Sequence, residues 1–82
     1  MNKKKFLRKL LSGSKNVRFQ DMLTLVKAFG FKIARTRGSH HICIHPYVDE
    51  PVNMQEVKGQ AKPYQIRQFL KLIERYDLTM ED

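Results

Sequence analysis

Gly30 separates two incompatible rhythms of apolar residues, and the change between them limits the folds open to this chain. Upstream, Phe19, Met22, Leu23, Val26 and Phe29 recur at i, i+3, i+4, i+7 and i+10, which aligns them on one face of an α-helix. Downstream, Phe31-Lys32-Ile33-Ala34-Arg35-Thr36 alternates with period two, as a strand buried on one face does. A glycine between them supplies the left-handed residue that ends a helix. The helix is therefore predicted to stop at Phe29 and the chain to turn back into a sheet.

The remaining elements follow from the same reading. Lys3 to Leu11 places Phe6, Leu7, Leu10 and Leu11 on one helical face with Lys4, Lys5, Arg8 and Lys9 opposite, and Ser12-Gly13-Ser14 stops it. This helix is expected to pack on the core, its basic side either solvated or laid on RNA. Arg37-Gly38 turns the first strand into a second, Ser39 to His45, since glycine takes the positive φ of a tight hairpin. Pro46 to Pro51 reads as a loop containing Asp49-Glu50, Val52 to Val57 as a weaker third strand, and Lys58-Gly59-Gln60-Ala61-Lys62 as a basic turn. Pro63 suits the first position of a helix, and Ile66, Phe69, Leu70, Ile73 and Tyr76 follow at helical spacing. Asp77 onward is a tail.

The predicted class is α+β: a two-layer sandwich in which a three-stranded antiparallel sheet carries two helices on one face, plus an extra N-terminal helix. It resembles the double-stranded-RNA-binding-domain fold, which by itself assigns no function. Residues 1–82 form one domain, divided into an N-terminal helical extension (1–17), a core (18–77) and a tail (78–82). A chain of this length buries only a little over ~60% of its unfolded surface, so two thin layers are all it can build.

Charge bounds the function. The formal net charge is +8, unevenly spread: residues 1–45 hold eleven Lys and Arg against the single acid Asp21, and residues 46–82 hold five against seven acids. A positive field of that concentration draws polyanions, nucleic acid ahead of anionic membrane because no long amphipathic face accompanies it. A solvated basic surface is the plainer alternative. The lone Cys43 excludes an intrachain disulfide, and nothing calls for an oxidising compartment. Arg8 and Lys9 interrupt the first apolar run before it reaches signal-peptide length, and no run approaches the ~18 residues of a membrane span. A soluble, cytoplasmic protein is expected.

The run Arg37-Gly38-Ser39-His40-His41 places groups that titrate near neutrality at a strand start beside guanidiniums, a setting suited to phosphate chemistry. A hairpin turn with surface histidines fits the same residues. Alternation puts His40 on one face with Ile42 and Ile44, and His41 on the other with Cys43 and His45. If the isoleucines face the core, His40 stands at its rim. His41, Cys43 and His45 supply at most two ligands to one zinc, since alternate strand residues lie about 6.6–6.8 Å apart, so no metal is expected. Tyr47, Tyr64 and Tyr76 are available to stack on bases, but Tyr76 has core spacing and the others lie beside prolines, where packing is expected.

The run Gly38-Ser39-His40-His41-Ile42 ending in His45-Pro46 resembles the signature of the HicA family of toxin mRNA interferases. The resemblance extends back through Phe29-Gly30-Phe31 and forward to Lys62-Pro63, with Arg67 and Leu70 in register, and covers roughly Phe19 to Leu70. It implies a ribosome-independent endoribonuclease acting on mRNA, neutralised by a HicB-type antitoxin that covers the active face, with His40 matching the catalytic histidine. Three features depart from the family pattern. Val52-Asn53-Met54-Gln55-Glu56 stands where a Val-Pro pair and a histidine are common, Tyr64-Gln65 stands where Gly-Thr is usual, and Met1 to Val17 is additional.

Under this reading His40 is the general acid/base, and Arg35, Arg37, Lys58 and Lys62 position phosphates. His41 and Ser39 join the RNA-binding set; the Ser39 hydroxyl either orients His40 or completes the turn, the turn being favoured. RNA carries its own nucleophile in the 2′-OH, so a histidine and cations suffice without cofactor. The acids form no metal-binding motif, which disfavours a metal-dependent nuclease. A non-catalytic RNA-binding module using the same basic face is the competing function. A protein-interaction module with an acidic partner is a third.

Overall fold

The computed structural model describes residues 2–13 and 15–80. Met1, the Ser14 of the expected helix stop, and Glu81 and Asp82 of the tail lie outside the described residues. In chain order the elements are α1 (Lys3–Leu11), α2 (Phe19–Ala28), β1 (Lys32–Arg37), β2 (His40–His45), β3 (Val48–Val57), β4 (Gln60–Ala61) and α3 (Pro63–Arg75). The strands form one antiparallel sheet in the order β1-β2-β3-β4.

Each helix starts for an identifiable reason. Asn2 caps α1, its side-chain oxygen accepting from the Lys5 N–H at 3.1 Å. Arg18 gives α2 no side-chain cap; instead the Gly59 carbonyl accepts from the Phe19 N–H at 2.9 Å, which ties the helix start to the β3–β4 turn. Pro63 opens α3 and so removes one donor that would otherwise lack a partner. At the other end of α2, Gly30 takes φ +94°, as the left-handed helix end requires.

α2 and α3 bury their apolar stripes against one face of the sheet. Phe19, Met22, Leu25 and Val26 from α2 and Ile66, Phe69 and Leu72 from α3 meet Phe31, Cys43, Val52 and Met54 in one core. Phe69 sits at its centre, 5.7 Å from the Phe29 ring and 5.5 Å from Phe31. α1 lies outside this sandwich, with Leu10 buried and Phe6 and Leu7 packed against the core from its edge. Leu78 and Met80 of the tail also pack there. No helix among the described residues is long and apolar enough to cross a membrane.

Two expectations need correction. The sheet has four strands rather than three, because Lys58-Gly59 forms a tight turn, with φ +53° and +76°, that pairs Gln60 and Ala61 back onto Val57 and Glu56. The third strand begins at Val48, not Val52, so the loop shrinks to Pro46 and Tyr47. Proline cannot donate to a ladder, and the register shifts between Cys43 and His45 opposite the stretch that contains Pro51. That bulge keeps the proline inside a strand and lets Val48 pair with His45 and bury itself.

Candidate active site on the open face of the sheet

β2 divides its residues between two environments. Cys43 points into the core at 1% exposure, between half-buried His41 and His45. The His41 ring lies 4.9 Å from Phe19, and the His45 ring lies 5.0 Å from Phe31. His40, Ile42 and Ile44 occupy the other face, which no described element covers; Ile44 is 48% exposed. The isoleucines therefore do not face the core, and His40 is not at its rim. The rim position falls to His41, because Phe19 and Phe31 offer flat partners to imidazoles and leave space between them for a side chain as small as Cys43.

Burial pushes the Cys43 thiol above the ordinary value of 9.0, and Lys27 pulls it back by less.

Around His40 the open face is basic. Arg37 is its direct partner on β1, and Arg35 stands two positions along the same strand and face. A bulge between Ile33 and Arg35 breaks the register, so both arginines share the side of His40 while Ile33 stays packed on the core. The Arg37–His40 turn has Gly38 at φ +59° with nothing near its absent Cβ, so the backbone angle alone calls for glycine. Ser39 anchors through its carbonyl, which accepts from the Glu56 N–H at 3.0 Å and lies 3.3 Å from His41 Nδ1.

Lys58 and Lys62 stand apart from the arginines, on the β3–β4 corner beyond Gln55, the direct partner of His40 on β3. Arg18, which pairs with Gln60, adds a cation to that corner. Its placement depends on β4 and so was not foreseen. Thus His40, Arg35 and Arg37 come together, Lys58 and Lys62 form a separate basic corner, and His41 is turned to the opposite face. Among the described residues no three His, Cys, Asp or Glu side chains converge as metal ligands do.

Residues 19–74, well over half of the 82-residue chain, match the family described as HicA toxin of bacterial toxin-antitoxin systems. The chain belongs to the HicA toxin family. It is thereby a toxin of the toxin–antitoxin kind, a class generally of ribonucleases that pair with an antitoxin. The match runs from the start of α2 into the last turn of α3 and leaves α1 outside. No curated protein and no solved structure gives a match.

Two polar residues of this HicA chain escaped the sequence reading. Asn53 places its side-chain Nδ2 3.1 Å and Oδ1 3.3 Å from His40 Nδ1. The amide donates to the ring when Nδ1 lacks a proton and accepts from it when Nδ1 carries one, so it holds the imidazole in either state. Gln65 is the one buried polar side chain, at 3% exposure among the described residues. Its Oε1 accepts from the Gln55 N–H at 2.8 Å, directly behind the strand position that faces His40. Alternation does put Asn53 on the polar side of β3, but only the bulged register shows that it reaches His40. Gln65 gave no signal, since it stands beside the apolar stripe of α3.

Tyr47 and Tyr64 are 79% and 51% exposed, against the expectation that both would pack. Their neighbours Pro46 and Pro63 are themselves on the surface, and the Tyr47 ring meets the His45 ring instead, 5.7 Å between centres.

Proposed function

We propose that this HicA toxin is a metal-independent endoribonuclease, an mRNA interferase of the cytoplasm, with His40 as general acid/base. The observation that carries the reading is His40 itself: exposed on an uncovered basic sheet face, across from Arg37, with one ring nitrogen held by Asn53. The other nitrogen, Nε2, is left for the substrate. In the reaction the RNA 2′-oxygen attacks the adjacent phosphorus and the bond from phosphorus to O5′ breaks. A 2′,3′-cyclic phosphate and a 5′-hydroxyl result, one proton leaving the 2′-OH and one reaching O5′. His40 exchanges those protons, and Arg37 with Arg35 holds the phosphate and its developing charge. Lys58 and Lys62 carry neighbouring phosphates, Ser39 shapes the turn, and His41 contributes by packing.

A HicB-type antitoxin is the inhibitor in this reading, and it covers the same face. Support comes from apolar residues left uncovered among the cations: Ile44 at 48% exposure and Val57 at 37%. Such a mixed surface suits a protein partner with acids around an apolar centre.

The test is cleavage of a mixed-sequence single-stranded RNA in EDTA by the purified protein beside His40→Ala. Cleavage by the wild type that falls at least ~100-fold in the variant, with RNA binding retained, is the expected outcome. Tight binding with no cleavage by either protein would replace this reading with a non-catalytic RNA-binding module.

A further inference from the structure

We infer that Tyr64 is a base-stacking platform for a nucleotide of the RNA strand where it leaves His40 over the basic β3–β4 corner. The inference rests on the RNA substrate proposed above. The Tyr64 ring is half-exposed and lies at the corner that carries Lys58 and Lys62.

Two contacts locate it. The Tyr64 hydroxyl accepts from Gln65 Nε2 at 3.5 Å, and Gln65 Oε1 accepts from the Gln55 N–H at 2.8 Å. Gln55 is the direct cross-strand partner of His40, but the Glu56 N–H is given to Ser39 on β2, so the Gln55 N–H points the other way and the phenol stands beyond β3, at the sheet's β4 edge. The ring therefore lies at the edge of the sheet, where a single strand that leaves His40 across β3 would pass. The second contact is Lys62, whose Nζ lies 5.8 Å from the Tyr64 ring centre. A cation at the ring gives the same subsite a partner for that nucleotide's phosphate. Ring for the base and ammonium for the backbone together describe a single-strand binding step rather than a packing residue.

Tyr47 provides the internal control. It is more exposed still, but it follows His45 at the far end of β2, about 16 Å from His40 along the strand. Exposure alone therefore does not select Tyr64; its position does.

The experiment uses the full chain and a single-stranded RNA made uncleavable by 2′-O-methyl groups, with 2-aminopurine placed at each position in turn. In the wild type, Tyr64→Phe and Tyr64→Trp, fluorescence is expected to be quenched at one position, on one side of the cleavage site. Tyr64→Ala is expected to lose that quench and to bind about ten-fold more weakly, with kcat on unmodified RNA changed less than KM. Tyr47→Ala is expected to match the wild type.

Tyr64→Ala with unchanged affinity and quench, in a series where the wild type cleaves RNA, would overturn the inference and leave the ribonuclease reading standing. Loss in Tyr64→Phe equal to that in Tyr64→Ala would also overturn it, because the hydroxyl bond to Gln65 would then matter and stacking would not. A wild type that neither binds nor cleaves RNA would remove the ribonuclease reading and this one with it.

Discussion

Both faces of β2 carry imidazole among apolar side chains, and they are put to opposite uses. His41, Cys43 and His45 face the helices, where the imidazoles lie against Phe19 and Phe31 and the thiol is sealed. His40, Ile42 and Ile44 face outward, where the imidazole meets Asn53 and Arg37 and the isoleucines are left for a partner. A histidine is thus a packing residue or a reactive one according to the layer opposite it. Which apolar residues lie inside is decided likewise: Cys43 fits between two tilted ring pairs, and a β-branched side chain there would overpack the layer.

The widest separation between the faces comes from the adjacent pair His40 and His41. His40→Ala is expected to lower cleavage by at least ~100-fold with a melting temperature close to the wild type, since an exposed ring supports little packing. His41→Ala is expected to do the reverse: cleavage within a few-fold, and stability lower by about 1 kcal/mol as the Phe19 contact is lost, a fall of roughly 4–8 °C in Tm. Thermal melts beside cleavage assays would show it. An inactive but stable His41→Ala with an active His40→Ala would exchange the roles of the two faces.

The outer face is next tested by Ile44→Glu. A new carboxylate at a half-exposed position leaves the fold and the intrinsic cleavage largely unchanged. Against an antitoxin seated on that face, it is expected to weaken binding by about ten-fold or more, read by titrating antitoxin into the cleavage assay. Undiminished inhibition would move the antitoxin to another surface.

Asn53→Ala sharpens the comparison on a smaller scale. Without the amide the His40 ring turns freely, and cleavage is expected to fall about ten-fold. Asn53→Asp places a carboxylate beside the same nitrogen and is expected to move the pH–rate limb governed by His40 upward. A profile that does not move in Asn53→Asp would reduce Asn53 to a strand residue near the site.

Much of this architecture was legible because spacing reports it directly. Phe19 through Phe29 can only be a helix face, Gly38 can only be a turn, and His40 follows that turn. The faces of β2 were not legible, because alternation states which residues go together and not which set goes inside. The usual preference for buried isoleucine pointed the wrong way; the deciding partners, Phe19 and Phe31, come from other elements. The start of β3 was hidden by Pro51, which reads as a loop unless the bulge opposite it is known. The reach of Asn53 to His40 follows from that same register and was hidden with it. β4 is too short, at Gln60–Ala61, to show any period.

Cys43 gives the smallest effect and the most direct reading of the inner face. Its thiol is pushed above 9.0 by burial, while in the unfolded chain it ionises near that ordinary value. Above about pH 9 the unfolded chain therefore releases a proton that the folded one retains. The folded state binds more protons there, so stability falls as pH rises; well below that pH both states keep the thiol protonated and nothing is lost. Lysines titrate in the same range, so the difference between wild type and Cys43→Ala isolates the thiol. That difference is expected to shrink as urea denaturation is repeated from about pH 8 to 10. Parallel curves for the two proteins would mean that the thiol ionises as readily folded as unfolded. Water would then reach the strand between His41 and His45, and the inner face of β2 would differ from the outer one in degree only.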